Sequence, residues 1–172
     1  MHLDATSSPE NAPLYTTEGG YRRFLDRIAK ARAEYDAVTA SNGDAADAGD
    51  NSVWHDNFAY EENQRQMHQL ARRVRDMEDA ARRLVIAPAP TRADRVALGT
   101  VVTFDDADDR SETIIVGGYE DSEPALRRVA YTAPLAKALL GAEVGDTRSI
   151  SLGGRARELT VVSISIAAAE SL

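Results

Sequence analysis

The chain contains no cysteine, which excludes disulfides and any site built on thiolate ligands. Histidine is nearly as scarce: His2, His55 and His68 are the full set, too scattered for a metal centre of imidazoles alone. No apolar run approaches the roughly 20 residues that a membrane-spanning helix needs. The first residues, MHLDATSSPENAP, have neither the basic start nor the apolar stretch of a secretion signal. These absences predict a cytoplasmic protein with no membrane partner. A net cationic face is missing as well, because the formal charge is −8. Phosphate binding needs clustered positive charge, so autonomous binding to duplex DNA is not expected.

What the chain does have is 172 residues at 43% hydrophobic content, enough for one domain or two small ones. Acid is unevenly spread along it. Asp44 to Glu62 holds six acidic residues and no Lys or Arg, and Asp105 to Glu123 holds eight against Arg110 alone. Arg72, Arg73, Arg75, Arg82 and Arg83 crowd one segment, where a solvated helix face or a polymer contact could use them. The first acidic stretch, Ser41 to Tyr60 (SNGDAADAGDNSVWHDNFAY), separates two segments with a coiled-coil repeat.

Residues 1–15 read as a loose leader. Thr17 is placed to cap a helix, with Glu18 favourable in its first turn. Tyr21, Phe24, Ile28, Ala31, Tyr35 and Val38 then recur in alternating steps of three and four, the seam of a coiled coil, and Leu25 widens the stripe. Arg22, Arg23, Arg27, Lys30 and Arg32 fall largely on the solvent side. The helix is expected to fade near Ala40 to Asn42, where Ser, Asn and Gly arrive together. A second helix restarts near Asp56, with Tyr60, Asn63, Met67, Leu70, Val74, Met77, Ala81 and Leu84 on its seam, and ends before Pro88. Asn63 either fixes the register or lies at a frayed end. Two such helices on a short connection are antiparallel neighbours. The predicted hairpin covers 16–87, with an acidic tip near 41–57. At about 1.5 Å per residue it reaches roughly 40 Å, so much of it is expected to project into solvent.

Residues 88–96 read as a linker, and 97–168 as a second domain. There the period changes: Thr100 to Phe104, Thr113 to Val116, Arg127 to Tyr131, Thr147 to Ser151 and Leu159 to Ile166 are rich in Val, Ile and Thr and read as strands. Pro134 to Leu140 reads as a short helix, with Pro in its first turn and Gly141 just past its end. Gly145-Asp146 and Gly153-Gly154 read as turns, and Asp105 to Asp109 as a solvated one. The fold class is α+β.

These segments together resemble the Gre family of bacterial transcript-cleavage factors, over about residues 14 to 166. Thr17-Glu18-Gly19-Gly20 with Phe24, Leu25 and Ile28 is similar to the family's Thr-x-x-Gly start and leucine repeat. Asp56-Asn57-Phe58-Ala59-Tyr60 is similar to its Glu-Asn-x-x-Tyr motif. Ala133-Pro134-Leu135-Ala136-Lys137-Ala138-Leu139-Leu140-Gly141, then Val144-Gly145-Asp146, is similar to its Ser-Pro-(Ile/Leu)-Ala-x-Ala-Leu-(Ile/Leu)-Gly and Val-Gly-Asp. The resemblance implies an antiparallel coiled-coil hairpin followed by an FKBP-like, mainly antiparallel β-domain. It implies RNA polymerase as the partner, indirect contact with RNA, and a monomer. The globular domain would dock at the rim of the secondary channel, through Ala133, Pro134, Leu135, Lys137, Leu139 and Gly141 either at the contact or in the core beneath it. The tip carboxylates would approach the catalytic magnesium of the polymerase. No cofactor of its own and no catalytic residue of its own are implied, since RNA hydrolysis would belong to the polymerase.

The tip departs from the family pattern Gly-Asp-x-x-Glu-Asn. Three extra residues separate Gly49-Asp50 from Asp56-Asn57; an ungapped match puts Val53 at the first aspartate and the shorter Asp56 at the glutamate. Asp50 and Asp56 are the expected main tip carboxylates and tentative shared magnesium ligands, with Asp44 and Asp47 auxiliary. Asp56 could equally cap the second helix. Trp54, His55, Asn57, Phe58 and Tyr60 are tip support or contact residues: Phe58 is expected to pack, Trp54 to staple the tip or mark a contact surface, and His55 to stand by. The expectation is a regulator of elongation or initiation with altered or absent cleavage stimulation. The alternative is a factor that rescues stalled complexes by stimulating cleavage. From other classes come a coiled-coil interaction adaptor and an FKBP-like prolyl isomerase, the last resting on Phe104, Tyr119 and Tyr131.

Overall fold

The structure is a computed structural model that describes residues 12–47, 56–108, 110–152 and 154–168; within these, side chains are described except at 42–47, 56–60, 152 and 155. The chain divides into two compact units. One is Leu25–Arg82; the other combines the residues up to Phe24 with those from Arg83 onward.

The helical unit is built from α1 (Glu18–Asp47) and α2 (Asp56–Arg83). The expected seam is the buried one. Ile28, Ala31 and Leu70 are buried, Ala80 joins them, and Tyr35, Val38, Asn63, Met67, Val74, Met77 and Ala81 are half-buried. Ion pairs cross between the helices among the described residues, Arg32 to Glu78 at 2.6 Å and Arg73 to Glu34 at 3.8 Å. Moving up α1 from 32 to 34 moves down α2 from 78 to 73, so the helices are antiparallel. Leu25 does not widen the stripe; it is 41% exposed, since its position lies off the a and d rows. Helix α1 does not fade at Asn42 but continues to Asp47, through Ser41, Asn42 and Gly43. Ala40, Ala45 and Ala46 are strong helix formers and carry it on.

The globular unit holds a five-stranded sheet in the order β5-β4-β3-β7-β6, with β3 Thr100–Asp106, β4 Ser111–Gly117, β5 Arg128–Ala130, β6 Thr147–Leu152 and β7 Arg155–Ile166. All neighbours are antiparallel except β4 and β5. Along β3 burial alternates residue by residue, so Val102 and Phe104 enter the core while Val101 and Thr103 face the other way. Helix α3 (Pro134–Leu139) packs Ala136 and Leu139 into the same core, with Ile114, Val116, Leu159 and Val161. Gly141 ends it at φ 77°, a conformation that only glycine adopts without strain. Its N–H then reaches Val96 O at 2.8 Å, and Val96 N–H reaches Ala142 O at 2.8 Å. The expected linker therefore stops short of Val96, which is 1% exposed and part of the core.

Three further expectations change. Leu14 and Tyr15 are not leader: they form β1 (Leu14–Thr16), paired in parallel with β2 (Leu84–Ile86). Leu84 is accordingly a strand residue and not the last seam position of α2. The segment Asp105 to Asp109 is not simply solvated. Asp106 is 7% exposed. Its carboxylate accepts the N–H groups of Asp108 and Arg110 at 2.9 and 3.1 Å and the Arg157 guanidinium at 2.6 Å. It organises the turn from inside.

Candidate functional site

The tip lies mostly outside the described residues. Asp50, Trp54 and His55 fall there entirely. The backbone places Asp44 and Asp47 in the last turns of α1, helical positions and not the loop expected. Asp56 is the first residue of α2, with Asn57, Phe58 and Tyr60 in the turns that follow. The acidic segment is thus bounded by two helix ends that carry aspartates.

The root of α1 is described in full, and it explains the Thr-x-x-Gly start. Thr17 precedes the helix, and its Oγ1 accepts the Gly20 N–H at 3.0 Å, which satisfies one first-turn donor. Gly20 faces the neighbouring turn so closely that a Cβ there would stand 2.6 Å from Thr16 Oγ1 and 3.0 Å from Asp121 Oδ2. Gly118 approaches Thr16 from the other side, where a Cβ would stand 2.8 Å from Thr16 Cα. The helix root, β1 and the Gly117-Gly118 turn therefore meet at backbone distance.

A buried ion cluster closes this contact. Asp121 accepts Arg23 Nε at 2.9 Å and Nη2 at 2.6 Å, and Arg128 Nε at 3.1 Å. The side chains of Asp121 and Arg128 are 5% and 4% exposed, that of Arg23 35%. Burial alone pushes the Asp121 carboxyl up. The Arg23 hydrogen bonds and the nearby Arg128 charge outweigh it, and the net direction is down. Asp121 is ionised at neutral pH. Beside it Phe24 and Tyr119 stack at 6.0 Å between centroids, tilted by 56°. Burial raises the Tyr119 phenol, with Glu120 adding to the shift. Arg23 is thus not a solvent-side residue. The cluster was not visible in the sequence because Arg23 and Asp121 lie 98 residues apart with no motif between them.

The expected docking segment splits by depth. Pro134, Lys137 and Gly141 are exposed, Ala133 and Leu135 half-buried, and Leu139 fully buried. Leu139 belongs to the core, so only the first five can offer a surface. Phe104 is also sealed, at 1% exposure, and Tyr131 packs against the same core. Among the described residues no cluster of His, Asp and Glu could hold a metal ion, and no helix is long and apolar enough to cross a membrane.

One groove of about 540 Å³ opens in the globular unit. Thr17, Glu18, Gly19 and the guanidinium-bearing Arg22 and Arg23 form one wall, and the chain from Ile86 to Pro90, with Leu98, forms the other. Arg22 pairs with Glu18 at 2.8 Å on the exposed side.

Comparison with known proteins adds sequence relatives to this geometry. The family model described as transcription elongation factor, GreA/GreB, C-term, matches residues 90–166. Transcription elongation factor GreA of Rickettsia conorii is 30% identical over 158 residues, covering 90% of this chain and 95% of that one. The GreA of Sphingopyxis alaskensis is 26% identical over 147 residues, covering 85% and 90%. Among solved structures, the GreA factor homolog 1 (Gfh1) protein of Thermus thermophilus covers 89% of this chain and 99% of its own, at 22% identity and a TM-score of 0.42.

Proposed function

This chain belongs to the GreA/GreB family of transcription elongation factors, and from that premise we propose that it binds RNA polymerase at the secondary channel. The globular unit docks at the channel rim, and the hairpin carries its acidic tip toward the catalytic magnesium. Asp50 and Asp56 are the main tip carboxylates, with Asp44 and Asp47 beside them. The effect is a modulation of elongation or initiation, with stimulation of transcript cleavage altered or absent.

The observation that carries this reading is the pair of antiparallel helices that ends in aspartates on both sides of the tip: Asp44 and Asp47 close α1, and Asp56 opens α2. Carboxylate oxygens are the donors that magnesium prefers, and it is usually held by one or two of them beside substrate phosphates. The donor set fits an ion that the polymerase supplies. Such an ion offers charge neutralisation and an activated water, chemistry that resides in the polymerase. The part of this chain is to present negative charge. Altered cleavage is supported by the spacing: three extra residues lie between Asp50 and Asp56, and the side chain at the tip's second acidic position is one methylene shorter than glutamate.

The test is transcription on purified complexes. Added to backtracked elongation complexes, the protein is expected to leave the RNA length unchanged or nearly so. It is expected to slow nucleotide addition in a manner lost in Asp50→Ala/Asp56→Ala. Rapid shortening of the RNA would establish the cleavage role instead. No binding to polymerase would overturn the reading altogether.

A further inference from the structure

The first two turns of α1 are held along one face. Thr17 caps them, Gly20 lies against Thr16 and Asp121, and Phe24 meets the Tyr119 ring. These positions are three and four residues apart, so they form one row on the helix. The same row runs on through Ile28 and Ala31, which are buried in the helical unit. Arg23, beside the row, supplies the polar tie: its Nε and Nη2 both reach Asp121, at 2.9 and 2.6 Å. Two hydrogen bonds between a planar guanidinium and a carboxylate fix direction as well as distance.

Asp121 is in turn held from its own side. Arg128 Nε reaches it from β5 at 3.1 Å, and the Asp121 N–H donates to Gly118 O at 3.2 Å. Strand β1 is pinned to the same body: Tyr119 N–H donates to Tyr15 O at 2.9 Å, and Tyr15 N–H donates to the Tyr131 hydroxyl at 3.2 Å. Only Thr17 stands between β1 and α1, so the helix has no slack where it starts.

Helix α1 is 30 residues long, unbroken from Glu18 to Asp47, and most of it lies beyond this grip. At about 1.5 Å per residue the remainder is roughly 35 Å, so a tilt of about 10° at the root sweeps the far end through about 6 Å. A misplacement of about 1 Å already costs orders of magnitude where reacting groups must be aligned. The guanidinium of Arg23 is engaged by Asp121 and has no charge left over for a partner.

Resting on the polymerase reading above, we propose that Arg23 is a positioning residue for the acidic tip: through Asp121 and Arg128 it holds the root of α1 in one direction, and so governs what the tip does once the protein is bound, without taking part in docking.

Arg23→Gln cuts the tie and leaves the buried Asp121–Arg128 pair in place. Arg23→Lys keeps the charge but not the fork. Arg22→Gln, one residue away at a side chain 70% exposed, is the control. Circular dichroism establishes that each variant is folded at the assay temperature. Fluorescence anisotropy with core RNA polymerase gives the affinity of the full-length protein. The tip effect is the change in nucleotide addition or RNA length, at saturating protein, that Asp50→Ala/Asp56→Ala abolishes. For Arg23→Gln the expected result is an affinity within about two-fold of wild type and a saturating tip effect reduced about ten-fold, with Arg23→Lys between the two and Arg22→Gln unchanged. A full tip effect at saturation in Arg23→Gln overturns the positioning role and leaves the polymerase reading standing, as does a change explained wholly by lost affinity. If Arg23→Gln does not fold, Arg23→Lys is read in its place: a reduced saturating effect supports the role and a wild-type one overturns it. Absence of polymerase binding, or of any tip effect, in the wild-type protein removes the polymerase reading and this role with it.

Discussion

Replacing Asp121 by Asn keeps its shape and removes its charge. Two guanidinium groups then lose a carboxylate. Hydrogen bonds to charged groups are worth about 1.5–3 kcal/mol each. The Arg23 fork is a third exposed and counts near the bottom of that range; Arg128, at 4% exposure, counts near the top. The two together come to roughly 4 kcal/mol, inside the 3–5 kcal/mol typical when one partner of a buried pair is deleted. Urea unfolding followed by circular dichroism measures it, with thermal unfolding as a second reading. The pH dependence checks the cause. Because the folded Asp121 titrates below its ordinary value, its ionisation contributes stability that is fully present above about pH 4, the unfolded value, and is lost as pH falls through the folded one. The gap between wild type and Asp121→Asn should therefore be wide at neutral pH and narrow in strong acid. A difference under about 1 kcal/mol at pH 7, or one that does not shrink in acid, would refute the assignment of this cluster as a net stabilising contact.

Gly20→Ala improves helix propensity by about 1 kcal/mol but drives a Cβ to 2.6 Å from Thr16 Oγ1, so a net destabilisation of about 1–3 kcal/mol is expected by urea unfolding. Arg127 sits at φ 50°, and Arg127→Gly should raise stability by up to about 1 kcal/mol; a lower melting temperature would contradict this. In the hairpin, Leu70→Ala is expected to cost about 2–4 kcal/mol, read as lost helical signal at lower temperature, whereas the exposed Leu25→Ala should cost under about 0.5 kcal/mol.

The helical hairpin was legible because a seam of three-and-four steps is a local signal, and every described position of it is buried or half-buried. The strands were legible from Val, Ile and Thr runs, and α3 from Pro134 and Gly141 at its ends. What stayed hidden rests on distant partners. The pairing of Leu14–Thr16 with Leu84–Ile86 joins two three-residue segments that carry no period of their own. The burial of Asp106 depends on Arg157, 51 residues away. The Thr-x-x-Gly start could be quoted as a pattern, but its physical reason, the close approach of Gly20 to Thr16 and Asp121, required coordinates.

The globular unit is discontinuous in sequence: it takes residues up to Phe24 and resumes at Arg83. In sequence, Leu25–Arg82 is an insertion into that unit. A fragment cut at the apparent linker, starting near residue 90, would leave behind β1, β2 and the turns bearing Arg23 and Phe24, and would bare Asp121, Arg128 and the Tyr119 ring. The severable piece is Leu25–Arg82, so chimeras and stalk swaps should be spliced at 24 and 83, where a short bridge can stand in for the whole excursion.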